Sequence, residues 1–129
     1  MRLVLSDVRV TAPESSIILE AQVKRYGMVI GVKPEHEETY RAAHRAVPSE
    51  VLRMIRDCNI RNYSIFLRNS VLYSYFEYVG SDFSGDMAKM AADPATQEWW
   101  RRVGPMQEPF SDRAPGEWWA AMDEIFHVD

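Results

Sequence analysis

Tyr26-Gly27-Met28-Val29-Ile30-Gly31-Val32-Lys33-Pro34-Glu35-His36-Glu37-Glu38-Thr39-Tyr40-Arg41-Ala42-Ala43-His44 changes its period once, and the change decides the architecture. Tyr26, Met28, Ile30 and Val32 alternate with Gly27, Val29 and Gly31, the pattern of a strand with two glycines on one face. Side chains that small leave room for something to approach. From Pro34 the period lengthens to that of a helix. Pro34 suits a first helical position, where its missing N–H costs nothing, and Glu35, Glu37 and Glu38 complement the positive end of the helix dipole. Tyr40 and His44, four residues apart, leave from one face of that helix, a phenol one turn below an imidazole. Pro48 disfavours helical backbone at Val47, so the helix stops there and His44 lies close to its end, well placed to meet a ligand.

Downstream, Pro48 to Arg56 carries Val51, Leu52 and Ile55 at helical spacing, so two short helices form one crossover. Arg61 to Leu67 and Val71 to Val79 read as strands, joined through Arg68-Asn69-Ser70 as a hairpin. Asp82 to Met90 reads as a short helix. Asp93-Pro94, a capping aspartate followed by proline, starts another helix that carries Trp99 and Trp100 to about Val103 and ends at Gly104-Pro105. Residues 105–119 hold three of the seven prolines and Gly116. They predict a loop, with one turn at Glu117 to Ala120. Asp123 to Val128 reads as a closing strand, with Ile125 and His127 on one face and Phe126 and Val128 on the other.

This order, strand-helix-strand-strand-helix-strand, is the ferredoxin-like split βαβ arrangement of the α+β class, a four-stranded antiparallel sheet with helices on one face. The other face would carry Tyr63, Ile65, Tyr73 and Tyr75 or their alternates, too aromatic to leave in water, and two such sheets packed face to face predict a homodimer. The domain spans 24–129. Residues 1–23 form an N-terminal extension or arm, with a turn-rich patch at 11–16 before Ile17-Ile18-Leu19, expected to pack on a neighbouring subunit.

At 129 residues the chain builds one domain with a real core. A net charge of −4, with its 15 basic residues scattered among 19 acids, gives no basic stripe and argues against nucleic acid or an anionic membrane. A neutral small molecule suits it better. The single cysteine, Cys58, excludes an internal disulfide and a multi-cysteine metal site and suits a reducing compartment, so the expected location is the cytoplasm. No apolar run approaches a membrane span, and the apolar part of Met1 to Asp7 is too short for a secretory signal.

Four separated blocks resemble the L-rhamnose mutarotase family. They are Glu37-Glu38-Thr39-Tyr40-Arg41-Ala42-Ala43-His44, Asn62-Tyr63-Ser64-Ile65-Phe66-Leu67, Gln97-Glu98-Trp99-Trp100 and Glu124-Ile125-Phe126-His127-Val128, in the same order and with similar gaps over roughly residues 24–129. The resemblance implies a dimeric α/β barrel that interconverts the α and β anomers of a 6-deoxy sugar without a cofactor. It implies His44 as proton donor, with Tyr40, Tyr63, Trp99 and Trp100 binding the sugar. The chain departs from the family pattern at Val47-Pro48, where members often carry a tryptophan before the proline. That places the preferred sugar between L-rhamnose, L-fucose and other 6-deoxyhexoses. Trp118-Trp119 and the first 23 residues lie outside the matching blocks.

Mutarotation opens the ring to the aldehyde, allows rotation about C1–C2 and recloses on the other carbonyl face. The ring oxygen gains a proton while the anomeric hydroxyl loses one. Imidazole as a class does either near neutral pH. Tyr40 or Tyr63 can donate a second hydrogen bond, while indole faces stack on the apolar side of the sugar; no metal or electrophile is needed. Each residue also has a plainer role open to it. His44 can be a satisfied helix residue, Tyr63 a sheet aromatic, and at least one tryptophan core, since neighbours on a helix diverge by about 100°. His36 reads as solvated and Cys58 as a small buried residue, while His127 can reach the cavity from the closing strand. His36 and His44, eight apart without a cysteine or carboxylate pattern, do not read as a zinc site. Two other functions fit the same fold: a non-catalytic small-molecule-binding regulatory dimer, and a cofactor-free dimeric α/β-barrel oxygenase.

Overall fold

The computed structural model describes residues 23–129, so the expected N-terminal arm lies outside the described residues. Strand β1 (Lys24–Val32) is followed by a 3-10 turn (Pro34–His36) and helices α1 (Glu37–His44) and α2 (Ser49–Asp57). Strands β2 (Ile60–Arg68) and β3 (Val71–Tyr78) come next, then helices α3 (Phe83–Ala91) and α4 (Pro94–Val103). Two very short strands, β4 (Gln107–Glu108) and β5 (Ala120–Met122), close the order. The sheet runs β2-β3-β1-β4, antiparallel throughout, with β5 also on β1. This is the ferredoxin-like split βαβ topology.

Local chemistry sets most boundaries. Asp82 accepts from the Gly85 amide at 3.0 Å, and Asp93 from the Thr96 amide and hydroxyl at 2.9 and 2.8 Å, so both helix starts satisfy otherwise orphaned donors. Helix α1 ends at His44, three residues ahead of the Val47-Pro48 pair. Asn69 and Ser70 both take left-handed backbone (φ 52° and 61°), the two-residue turn whose twist matches a hairpin.

The core lies between the sheet and the helices. Ile30 and Val32 of β1, Leu72 of β3, Tyr40 and Ala43 of α1, Val51 of α2, and Trp99 and Val103 of α4 form one buried cluster. Ile60, Phe76 and Tyr78 form a second under α3. Tyr78 donates its hydroxyl to Asp86, which also accepts from Asn59 at 2.9 Å, tying the end of β3 to α3.

Two expectations from sequence need correction. Residues 123–129 form no strand: Ile125 is 94% exposed, and the sheet is completed instead by β4 and β5. The reason is the outer edge of β1, where Gly31 lies opposite Glu108 and Gly27 opposite Met122. A Cβ on Gly31 would sit 2.8 Å from the Glu108 carbonyl oxygen, so the room left by the glycines is used by the returning chain. Residues 109–119 form the expected loop, with a turn at Pro115-Gly116 and a bend at Trp118-Trp119.

The second correction concerns the faces of the sheet. Register places Tyr73 and Tyr75 on the face away from the helices, since Leu72, Ser74 and Phe76 point inward. Tyr63 and Ile65 belong to the helix side. The pairing shifts between Arg61 and Ser64, with Asn62 in left-handed backbone (φ 52°), and this bulge turns Tyr63 inward to meet Phe76 edge-on at 5.6 Å.

Candidate active site

The inward turn of Tyr63 brings it into a cavity of about 640 Å³ between β2 and the helices, with Tyr40, His44 and Trp99 in its wall. One turn of α1 separates Tyr40 from His44, and their rings stack at 4.3 Å with a 28° tilt. Trp99 meets the imidazole edge-on at 5.1 Å, so His44 is held between two aromatic rings. Its Nδ1 lies 2.8 Å from the Tyr40 carbonyl oxygen. A carbonyl only accepts, so Nδ1 carries the hydrogen and Nε2 is the nitrogen left to exchange a proton.

Tyr40 is 4% exposed, and burial pushes its phenol pKa up, against the opposing effect of a hydrogen bond from Gln107. Tyr63 exposes 44% of its surface, yet desolvation, with a smaller contribution from Tyr40, pushes its phenol up to about 12. Both phenols stay protonated at neutral pH and can donate to a sugar oxygen. For an acid whose folded pKa is raised, the stability contribution is whole below the unfolded value of 10.0 and is lost as pH rises toward 12. Thermal melting between pH 9 and 12, on the order of the phenol range, will therefore show an alkaline fall. Tyr63→Phe will shrink it, leaving the shares of Tyr40 and Tyr78, whose phenols burial also raises, and of Tyr75, which burial and its bond to Glu77 raise to about 12. An unchanged fall in Tyr63→Phe would show that the Tyr63 oxygen is not desolvated.

Trp100 stands outside this wall, 45% exposed, about 100° around α4 from Trp99. His127 is not part of it either: it sits in the exposed tail beside Asp129 at 2.8 Å. His36 is half-buried at the start of α1, away from the lining. Cys58 is fully buried against Met54 at 3.5 Å, with burial raising its thiol, so it fits the small-residue reading. Val47, the position of departure from the family pattern, does line the cavity, as do Arg41 and Arg45. Gln107 and Trp118, which contact Tyr40 in series, had no spacing or motif to mark them. Among the described residues no group of three or more His, Cys, Asp or Glu side chains is placed to hold a metal ion.

The sequence model of L-rhamnose mutarotase matches residues 25–128. The chain belongs to the L-rhamnose mutarotase family. The L-rhamnose mutarotase of Opitutus terrae is 30% identical over 105 residues, covering 81% of this chain and 98% of that one. Among solved structures, the L-rhamnose mutarotase of Formosa agariphila superposes with a TM-score of 0.63 at 18% identity, covering 82% of this chain and 99% of the other. Tetracenomycin F2 cyclase of Streptomyces glaucescens, a type-II polyketide cyclase, superposes with a TM-score of 0.60 at 17% identity over the same shares. Two activities on one backbone mean that the fold alone does not choose between them. The choice of mutarotase rests on the sequence match. Among the described residues no helix is long and apolar enough to cross a membrane.

Proposed function

We infer that the chain is a cofactor-independent isomerase that interconverts the α and β anomers of L-rhamnose, with His44 as its acid/base group. The observation that carries this assignment of His44 is its ring, gripped between Tyr40 and Trp99 with Nδ1 committed to a carbonyl and Nε2 uncommitted at a cavity wall. In ring opening one proton joins the ring oxygen and one leaves the anomeric hydroxyl. In its imidazolium form His44 gives the first from Nε2 and solvent water takes the second, while Tyr40 and Tyr63 donate hydrogen bonds to the sugar oxygens and the indole of Trp99 packs against the apolar side of the sugar. After rotation about C1–C2 the same groups run the step in reverse on the other carbonyl face. Nothing is oxidised or reduced.

The substrate preference turns on Val47, whose isopropyl group leaves more space at the wall than an indole would. Saturation-transfer NMR between the two anomeric protons, run on L-rhamnose, L-fucose and galactose, tests both the activity and the preference. Exchange no faster than in buffer for all three sugars would overturn the function.

The assembly we propose is a homodimer formed through the open face of the sheet. Its support is Phe66, 64% exposed, beside Tyr73, 42% exposed, two large rings paired across β2 and β3. Sedimentation as a monomer at micromolar concentration would remove it.

A further inference from the structure

Trp118, 48% exposed, and Gln107 lie outside the sugar-contacting set, yet they form a hydrogen-bonded chain that runs inward to the buried Tyr40. The Trp118 Nε1–H donates to Gln107 Oε1 at 2.7 Å, and Gln107 Nε2 donates to the Tyr40 hydroxyl oxygen at 3.0 Å. An indole N–H is a donor with no acceptor capacity, whereas a primary amide can present either end. Trp118 therefore selects one of the two amide orientations: Oε1 faces the indole, so the NH2 group must face Tyr40. The Tyr40 oxygen then accepts, and its own hydrogen is turned away from Gln107. That hydrogen has no acceptor among the described residues, although Tyr40 is nearly fully buried and its side chain borders the cavity. Buried hydroxyl donors are seldom left unpaired, which implies that an acceptor arrives with the ligand.

We propose that Trp118, acting through Gln107, is a positioning residue that fixes Tyr40 as a hydrogen-bond donor toward an oxygen of the bound sugar. The role in turnover rests on the mutarotase reading; the polarity of the chain does not. If the indole N–H is lost, the amide can turn over and present Oε1 to Tyr40. The phenol would then donate to the protein and offer the sugar only a lone pair. The other end of the same helix turn is fixed in the complementary sense, because the Tyr40 carbonyl holds the hydrogen of His44 on Nδ1 and leaves Nε2 free. One aromatic residue near the end of the chain thus matches donor to acceptor across the site. Held at Gln107 by a bond between buried groups, the arrangement also anchors β4 beneath α1.

The test uses the full chain with 13Cζ-labelled tyrosine, Tyr40 being assigned by its loss in Tyr40→Phe. Trp118→Phe keeps the ring and removes the donor. Gln107→Glu keeps the shape and leaves only acceptors facing Tyr40. The Tyr40 Cζ resonance is expected to move in both variants, because the hydroxyl passes from accepting to donating within the protein. Anomer exchange is expected to slow by about 3- to 10-fold in Trp118→Phe and about 10- to 100-fold in Gln107→Glu, the range of a neutral and a charged hydrogen bond. Neither substitution should slow Tyr40→Phe further, a result that a merely structural role would not give. A Tyr40 resonance unmoved in the folded variants overturns the proposal, and so does a moved resonance with undiminished exchange. If the resonance moves but the unaltered chain exchanges no anomers, the mutarotase reading fails while the donor polarity stands. Should Trp118→Phe not fold, Gln107→Glu decides the same points alone.

Discussion

His44→Gln will lower catalysed exchange between α- and β-L-rhamnose by about 10²- to 10⁴-fold, the usual worth of a positioned acid/base group. That loss corresponds to about 3–5 kcal/mol of transition-state stabilisation. Glutamine keeps a polar side chain of similar reach but cannot take and return a proton, so the variant separates proton transfer from hydrogen bonding. The fold should survive. His44 is half-buried at the last turn of α1, and its hydrogen bond goes to the carbonyl of Tyr40 in its own helix. Saturation transfer between the anomeric protons measures the loss, with thermal melting as the control. Exchange undiminished in a folded His44→Gln would move the acid/base role elsewhere in the cavity, with Tyr63 the next group to examine.

Ile30→Ala will destabilise the protein by about 3–5 kcal/mol, at the upper end of the range for a buried aliphatic side chain. On a domain of this size that is a drop of about 12–20 °C in melting temperature. Ile30 is 0% exposed on β1, facing Leu72 across the pairing with β3 and packed in the main cluster with Tyr40 and Trp99. Leu72→Ala removes a side chain of the same size from the same cluster but should cost less, about 2–3 kcal/mol. The difference lies in what each vacancy becomes. Leu72 borders the cavity, so the space it leaves joins one that water already enters, whereas the space left by Ile30 is closed. Equal costs for the two variants, read from denaturant midpoints, would show that the cavity does not extend to Leu72.

Much of this fold is legible in the chain because it is written in local signals. The passage from alternation at Tyr26 to Val32 into helical spacing marks β1 and α1, and Asp82 and Asp93 mark two helix starts with a capping carboxylate. Asn69-Ser70 marks the hairpin, and the four-residue step from Tyr40 to His44 already places a phenol and an imidazole on one wall. Stacking of those two rings follows from helix geometry alone.

Other features depend on partners distant in the chain. Strands of two and three residues carry no readable alternation, so Gln107–Glu108 and Ala120–Met122 outcompete the better-patterned 123–128. Their places are cut by Gly31 and Gly27 on β1. The side to which Tyr63 points is set by a bulge at Asn62, and a one-residue slip in pairing reverses every following side chain. Which tryptophan of the pair lines the cavity is set by how α4 rolls on the sheet. The sequence by itself determined the elements, their order and the Tyr40–His44 pair, because these follow from chemistry within a few residues. Tertiary structure alone decided the edge strands, the inward Tyr63 and the Trp118–Gln107–Tyr40 chain, because each requires residues brought together across the fold in a register that no local pattern encodes.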